Sequence, residues 1–126
     1  VENIIIILEK YKNDESFFYK IRELNTTTLS NAERAARLIY LNKTCFNGLY
    51  RVNKKGQFNV PFGKRSGEFL NRDLLRDSSE FLQHTEIIHS DYLNILKKYA
   101  EKNDFIFLDP PYYPVGKFSD FKNHLS

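Results

Sequence analysis

A chain of 126 residues with 41% hydrophobic and 15% aromatic residues has the composition of one packed globular domain, which excludes an intrinsically disordered protein. No apolar run approaches the roughly 20 residues that a membrane-spanning helix needs, and the single cysteine, Cys45, excludes an internal disulfide. The net charge of +3 is uneven: six basic and no acidic residues lie between positions 43 and 65, giving +6 there and −3 elsewhere. We therefore expect a cytosolic protein with one strongly basic surface.

Residues 2–24 predict two short helices, or one helix broken near Asn13 and Asp14. The apolar residues of the second half, Phe17, Phe18 and Ile21, recur at helical spacing. The earlier run at residues 4–8 is ambiguous, because a short β-branched stretch is also typical of a buried strand.

The next helix has a clearer start signal. Ser30 and Glu33 form a capping-box pair, in which each side chain accepts a hydrogen bond from the other residue's backbone. Apolar residues follow at helical spacing, so the sequence predicts a helix from about residue 31 to residue 43.

Residues 47–63 predict a β-hairpin with its tip at residues 53–56. Alternation along the first arm places Arg51 outward, and Pro61 requires an edge or an end of the second arm. A two-stranded ribbon fits the DNA major groove, where an arginine can bond both acceptors of a guanine. The alternative is a basic hairpin that is simply solvated.

Residues 71–82 predict a further helix, after which the pattern changes. Residues 86–89 predict a strand, Ser90 and Asp91 a helix start, residues 92–100 a helix, and residues 105–108 a second strand. Such a unit pairs its strands in parallel through a right-handed crossover, so the sequence predicts an α/β fold.

A tetrapeptide follows the second strand directly: Asp109, Pro110, Pro111 and Tyr112. Ligands of open α/β sheets bind at the carboxyl ends of strands, which is where these residues would lie. The carboxylate and the Pro110 carbonyl are acceptors for a nucleobase amine, the proline pair stiffens the turn, and Tyr112 offers a stacking face. An Asp-Pro-Pro segment is also typical of an ordinary loop, and this alternative stays open.

Two segments together resemble a known family. The stretch LNKTCFNGLYRVN at residues 41–53 and GQFNVPFGK at residues 56–64, with the downstream tetrapeptide, resemble Dam-type DNA adenine methyltransferases, which act at GATC. The resemblance implies a partial Rossmann-like methyltransferase domain with an inserted target-recognition domain of helices and a β-hairpin. It places the recognition domain at residues 1–84 and part of the catalytic domain at residues 85–126.

The resemblance implies transfer of a methyl group from S-adenosylmethionine to the exocyclic amine of a flipped adenine in double-stranded DNA. Asp109, Pro110, Pro111 and Tyr112 would be catalytic, with Asp109 also beside the cofactor and Tyr112 stacked on the base. Asp91 resembles the acidic residue near the cofactor's adenine ring, although a helix N-cap is an equally good reading. Neither a metal nor a membrane is implied.

On the DNA side, Arg51 resembles the residue that reads a guanine, and Leu49 and Pro61 resemble apolar neighbours of base edges. Hairpin packing is an equal alternative for these two apolar residues. Asn47 resembles the residue that enters the duplex near the vacated position, and Lys64 and Arg65 are expected to contact phosphate. The predicted DNA-binding residues are Asn47, Leu49, Arg51, Asn53, Pro61, Lys64 and Arg65.

The chain departs from the family at its start. It begins at Val1 and contains no methionine, and its five glycines do not form the Gly-rich loop that wraps the methyl donor in relatives. We therefore expect a partial chain, inactive alone, that lacks the N-terminal cofactor segment. The alternatives are a non-catalytic DNA-binding module and an amine methyltransferase acting on RNA or protein. The sequence does not specify a partner endonuclease or the oligomeric state.

Overall fold

A computed structural model describes residues 1–64 and 66–109 of the chain. The chain divides into two compact units, Val1–Glu86 and Ile87–Ser126. The first unit contains helices α1 (Glu2–Glu9), α2 (Glu15–Glu23), α3 (Asn31–Thr44) and α4 (Arg72–Leu82), and the second contains α5 (Tyr92–Tyr99). The division lies close to the boundary expected between the two functional parts, whose roles stay predictions.

The ambiguous apolar run at residues 4–8 is helical. Ile5 and Leu8 of α1 are buried, three positions apart, whereas Ile6 between them is 49% exposed. This is the spacing of one helical face, and it outweighs the β-branched composition that would favour a strand. Asp14 then caps α2 by accepting a hydrogen bond from the Phe17 amide at 2.9 Å, so the predicted break near residues 13 and 14 is confirmed.

Helix α3 is the centre of the first unit, and its predicted capping box is confirmed. The Ser30 hydroxyl accepts from the Glu33 amide at 3.3 Å, and a Glu33 carboxylate oxygen accepts from the Ser30 amide at 2.8 Å. These hydrogen bonds with Ser30 lower the pKa of Glu33. Helix α3 packs against both α1 and α2.

The core of this helical base, meaning α1, α2 and α3, is an aromatic cluster around Tyr40. The Tyr40 side chain is fully buried, and its hydroxyl donates to the Lys12 carbonyl at 2.7 Å. Its ring lies 5.2 Å from Tyr11 and 5.1 Å from Phe69, both edge-on, the arrangement that aromatic pairs prefer. Burial raises the pKa of Tyr40 to about 12.

Arg37 joins α3 to the end of α2. Its Nε donates to the Ile21 carbonyl at 2.9 Å and one Nη to the Arg22 carbonyl at 2.6 Å. The last carbonyls of a helix have no partner within the helix, so Arg37 satisfies two of them at the C-terminus of α2. Burial lowers the pKa of this guanidinium from its ordinary value.

The predicted hairpin is present as a ladder of single bridges. Val52 pairs with Phe58 near the tip, and Cys45 pairs with Phe62 at the base, both antiparallel. Within residues 1–64 and 66–109 no pairing extends into a full strand. The tip loop comprises residues 54–56: the Gly56 amide donates to the Asn53 carbonyl at 2.9 Å, and Gly56 has φ 73°, typical of a three-residue hairpin loop.

Helix α4 is confirmed over Arg72–Leu82, with Asn71 as its N-cap. Two arginines hold it to α1: Arg76 donates to both carboxylate oxygens of Glu2, at 2.9 and 3.1 Å, and Arg72 donates to Glu9 at 2.8 Å. Its apolar face is only partly used, since Leu74 and Phe81 are 52% and 74% exposed.

The two strands predicted in the second half are not present. Residues 86–89 and 105–108 have no strand pairing in the structure, whereas the helix predicted between them is confirmed as α5. A strand exists only through hydrogen bonds to a neighbour, and the expected parallel pair does not form among the described residues. The side chains remain outside a core: Ile87 and Phe107 are each 78% exposed, and Phe105 is 91% exposed. The Rossmann-like part of the predicted fold is therefore not observed.

Candidate nucleic-acid interface

The hairpin carries a change of register that exposes its first arm. Seven steps separate Cys45 from Val52, whereas four separate Phe58 from Phe62, so the first arm contains three more residues than the second. The excess is taken up in a short 3-10 turn at residues 46–48, where Asn47 and Gly48 have φ 54° and 64°. Between the Phe46–Pro61 and Arg51–Asn59 hydrogen bonds, residues 47–50 of the first arm face the single residue Val60 of the second arm, so this segment bulges.

Backbone hydrogen bonds fix the register on both sides of this excess. At the base, the Phe46 amide donates to the Pro61 carbonyl at 2.9 Å and the Gly63 amide to the Thr44 carbonyl at 2.8 Å. Gly63 is required for this close approach, because a Cβ there would collide with the Cys45 carbonyl group. The 3-10 turn is therefore held between two defined pairings.

The two arms differ in how they are anchored. On the second arm, Phe58 and Val60 are 7% and 2% exposed and belong to the core of the first unit. On the first arm, Leu49 and Tyr50 are 53% and 63% exposed. The second arm therefore attaches the hairpin to the helical base, while the first arm presents its side chains to the surroundings.

Arg51, the predicted guanine reader, is exposed and has a fixed position. Its carbonyl accepts from the Asn59 amide at 3.0 Å, and its side-chain Nε donates to Asn59 Oδ1 at 2.9 Å. Among the described residues no carboxylate pairs with Arg51, and its side-chain partner is the amide of Asn59. Asn59 was not predicted, although its position opposite Arg51 in a hairpin could have indicated it.

The remaining predicted DNA-binding residues have distinct environments. Asn53 is used locally: its Oδ1 accepts from the Lys55 and Gln57 amides at 2.9 and 3.0 Å, which closes the loop at the tip. Asn47, Leu49, Pro61 and Lys64 are exposed, and Lys64 has φ 53°. Neither Leu49 nor Pro61 is packed in the core. Arg65 lies outside the described residues.

The basic residues of the hairpin are not neutralised by carboxylates. Lys54, Lys55 and Lys64 are exposed, as is Lys43 at the end of α3. In the described part of the chain the salt bridges involve Arg72 and Arg76 on α4, and none involves the hairpin. An uncompensated positive surface attracts polyanions such as nucleic-acid backbones.

A groove of about 900 Å³ lies in the first unit between the hairpin and the helices. Tyr50, Lys55 and Asn59 line its hairpin side, and Arg34 and Leu38 line its α3 side. The hairpin is therefore accessible from this side as well as at its tip.

The predicted catalytic residues fall mostly outside the described part. Asp109 is described and exposed, whereas Pro110, Pro111 and Tyr112 lie outside the described residues. Asp91 caps α5, since its Oδ1 accepts from the Leu93 amide at 2.8 Å. The N-cap role of Asp91 is therefore observed. The cap uses only Oδ1, so it is compatible with a second role of Asp91 near the cofactor, which stays a prediction.

Within the described residues, no group of three or more His, Cys, Asp or Glu side chains could hold a metal ion. Cys45 is buried, and its Sγ lies 3.3 Å from the Leu49 carbonyl oxygen. None of the helices in the described part is long and apolar enough to cross a bilayer.

Comparison with known proteins identifies the family. The sequence model for the D12 class N6 adenine-specific DNA methyltransferases matches residues 1–124. The chain is 39% identical over 121 residues to the type II methyltransferase M.MjaIII of Methanocaldococcus jannaschii, covering 93% of this chain and 41% of that protein. It is 34% identical over 132 residues to the type II methyltransferase M1.LlaDCHI of Lactococcus lactis subsp. cremoris, covering 98% and 46%.

A DNA adenine methylase of Serratia marcescens is 30% identical over 116 residues, covering 92% of this chain and 42% of that protein. The chain thus spans less than half the length of these curated relatives. The match nevertheless includes both the hairpin and the Asp-Pro-Pro-Tyr segment. The chain belongs to the family of D12 class N6 adenine-specific DNA methyltransferases.

Proposed function

We propose that the protein to which this chain belongs transfers a methyl group from S-adenosylmethionine to the exocyclic amine of adenine in duplex DNA, at GATC. The observation that supports this most directly is the hairpin, which presents Arg51 from a defined register on an uncompensated basic surface. A ribbon of this kind fits the major groove, where a guanidinium can bond the O6 and N7 of guanine. Membership of an adenine-specific DNA methyltransferase family supplies the reaction class.

The lysines of the hairpin would hold the DNA backbone. Lys54, Lys55 and Lys64 are exposed and lack carboxylate partners in the described part of the chain, so their charge is available to phosphates. Each phosphate contact releases a counterion, which makes binding depend on salt. These contacts would position the duplex, and contacts from Arg51 would identify the sequence.

Asp109 would act on the amine of the flipped adenine. When bound, the methyl donor would supply an activated methyl group: the amine nitrogen would bond the methyl carbon as its bond to sulfur breaks, a neutral thioether would leave, and one amine proton would pass to water. A carboxylate that accepts a hydrogen bond from the amine makes its lone pair more available, and an exposed Asp109 is compatible with this role. The residues expected near the cofactor, Asp91 and Asp109, both offer oxygen acceptors, which suits its hydroxyl and amine groups.

The full-length protein tests the proposal with labelled methyl donor and short duplexes. We expect label on adenine in a GATC duplex and protection of that site from a restriction endonuclease sensitive to adenine methylation. A matched duplex in which GATC is permuted should stay unlabelled. Absence of label from the GATC duplex would refute the proposal, and binding without transfer would instead support a non-catalytic DNA-binding module.

Two variants separate catalysis from recognition. Asp109→Ala should abolish transfer while retaining DNA binding, measured by fluorescence anisotropy. Arg51→Ala should cost about 1–3 kcal/mol of discrimination at a single guanine. Glu80→Ala, at an exposed residue of α4, serves as the matched control and should change neither quantity. An equal loss for Arg51→Ala on all sequences would contradict a base-reading role.

A further inference from the structure

The side chain of Asn59 bonds the guanidinium of Arg51 from the opposite arm of the hairpin. The two residues form a hydrogen-bonded antiparallel pair, since the Asn59 amide donates to the Arg51 carbonyl at 3.0 Å and the Asn53–Gln57 pair follows in the same register. Residues opposite each other in such a pair project from the same face. The bond of 2.9 Å from Arg51 Nε to Asn59 Oδ1 is therefore a direct product of the register.

Asn59 is the better anchored member of this pair. It lies between Phe58 and Val60, which are 7% and 2% exposed, and it is half-buried itself. Arg51 lies between Tyr50, which is 63% exposed, and the half-buried Val52. The amide thus provides a point of attachment, next to core residues, for a side chain whose own arm is more exposed.

The bond leaves the recognition end of the guanidinium free. Arginine has five N–H donors, one on Nε and four on the two Nη atoms. With Nε directed to Asn59, no described residue accepts from the Nη atoms, so both remain available for a bidentate contact. Arginine otherwise carries substantial rotamer freedom that is lost on binding, and a bond formed before binding reduces that loss.

We propose that Asn59 is a positioning residue that orients Arg51 for reading one guanine, and so contributes to sequence specificity without contacting the base. This inference rests on the proposed function. It makes a prediction that direct contact would not make: the effect of removing Asn59 should depend on the presence of Arg51.

The test measures kcat/KM of the full-length protein on a GATC duplex and on duplexes in which each guanine in turn is replaced by 7-deazaguanine. This analogue keeps base pairing and lacks the N7 acceptor that a bidentate arginine uses. The discrimination ratio is kcat/KM on the GATC duplex divided by kcat/KM on a 7-deazaguanine duplex. Asn59→Ala should lower this ratio about threefold to tenfold, which is the effect of one net hydrogen bond. The loss should occur at the same guanine as the loss caused by Arg51→Ala. In the Arg51→Ala background, Asn59→Ala should change the ratio by less than about twofold.

Two further variants separate positioning from general loosening of the hairpin. Asn59→Asp keeps an acceptor for Arg51 Nε, so it should retain the ratio even if the added negative charge weakens binding to every duplex equally. Gln57→Ala removes a comparable amide contact on the same arm, the 3.0 Å bond from Asn53 Nδ2, and should leave the ratio unchanged.

The outcomes distinguish this inference from the proposed function. If the wild-type protein fails to methylate or to discriminate, the proposed function fails. If Arg51→Ala loses discrimination while Asn59→Ala keeps it, only the positioning role is overturned. A loss of discrimination in Asn59→Ala that persists in the Arg51→Ala background would also overturn the positioning role, since Asn59 would then act on DNA independently of Arg51.

Discussion

The helical base and the hairpin show two different ways of fixing side chains. In the base, large aromatic rings fill a closed core around Tyr40. Polar side chains there bond to other groups of the base, as Arg37 does to the last carbonyls of α2. In the hairpin, single bridges and side-chain amides hold a short ladder whose first arm is exposed. Buried apolar contacts are therefore concentrated in the base, whereas the exposed side chains of the hairpin are held by a few local hydrogen bonds.

The largest loss in the free energy of unfolding should come from truncating a side chain of the aromatic core. Phe18 is fully buried and its ring lies 5.4 Å from those of Tyr19 and Phe62. Phe18→Ala should lower the free energy of unfolding by about 3–5 kcal/mol, measured by urea denaturation. Leu38→Ala, at a residue that is 48% exposed, is the control and should change it by no more than about 0.5 kcal/mol. Similar losses for both variants would contradict a closed core.

A smaller loss in the free energy of unfolding should follow from a substitution at the junction between the base and the hairpin. Gly63→Ala places a Cβ against the backbone of Cys45, and the overlap should cost about 1–3 kcal/mol. Gly56→Ala provides a contrast, because nothing lies within 4 Å of its Cβ position and only its φ of 73° is strained. Amide hydrogen exchange should become faster at positions 63 and 46 in Gly63→Ala, and at the tip of the hairpin in Gly56→Ala. Unchanged exchange at the junction in Gly63→Ala would contradict the close approach.

Tyr40→Phe tests the polar part of the core. Loss of the hydroxyl bond to the Lys12 carbonyl should cost about 1 kcal/mol. Burial raises the pKa of Tyr40 from 10.0 to about 12, so the folded protein holds the phenolic proton more tightly than the unfolded chain does. That stabilisation is complete below pH 10 and is lost as the pH rises toward 12.

Denaturation curves across this alkaline range provide the measurement. The wild-type protein should lose stability more steeply than Tyr40→Phe, and the residual slope in the variant should reflect Tyr11, whose pKa burial also raises. Equal slopes for the two proteins would show that the Tyr40 phenol is not selectively stabilised.

The smallest global effect should come from the tip of the hairpin. Asn53→Ala removes the acceptor of the Lys55 and Gln57 amides, yet it should lower the free energy of unfolding by less than about 1 kcal/mol because the site is exposed. Hydrogen exchange at those two amides should nevertheless accelerate. A large loss of global stability would break the distinction between base and hairpin.

The sequence predicted local features well. The capping box at Ser30 and Glu33 requires residues only three positions apart, and it is present as expected. The break before α2 and the helix after Asn71 also depend on neighbouring residues, and both are confirmed. In each case the side chain that stops or starts the helix acts within one turn.

The features that the sequence did not predict depend on distant residues. The aromatic contacts of Tyr40 join residues from the segment after α1, from α2 and from the segment before α4, and no local pattern specifies them. The two strands expected at residues 86–89 and 105–108 required each other as neighbours, and apolar composition alone could not supply the pairing. The outward position of Arg51 was predictable from alternation, whereas its bond to Asn59 required the register.

The three additional residues of the first arm have a consequence for how specificity could diversify. Because the pairings at Cys45–Phe62 and Val52–Phe58 fix the backbone on either side, we expect substitutions at the exposed positions of this turn to leave the anchored second arm in place. On the proposed function, exchanging residues of this segment would alter which bases the hairpin contacts while the second arm keeps its position.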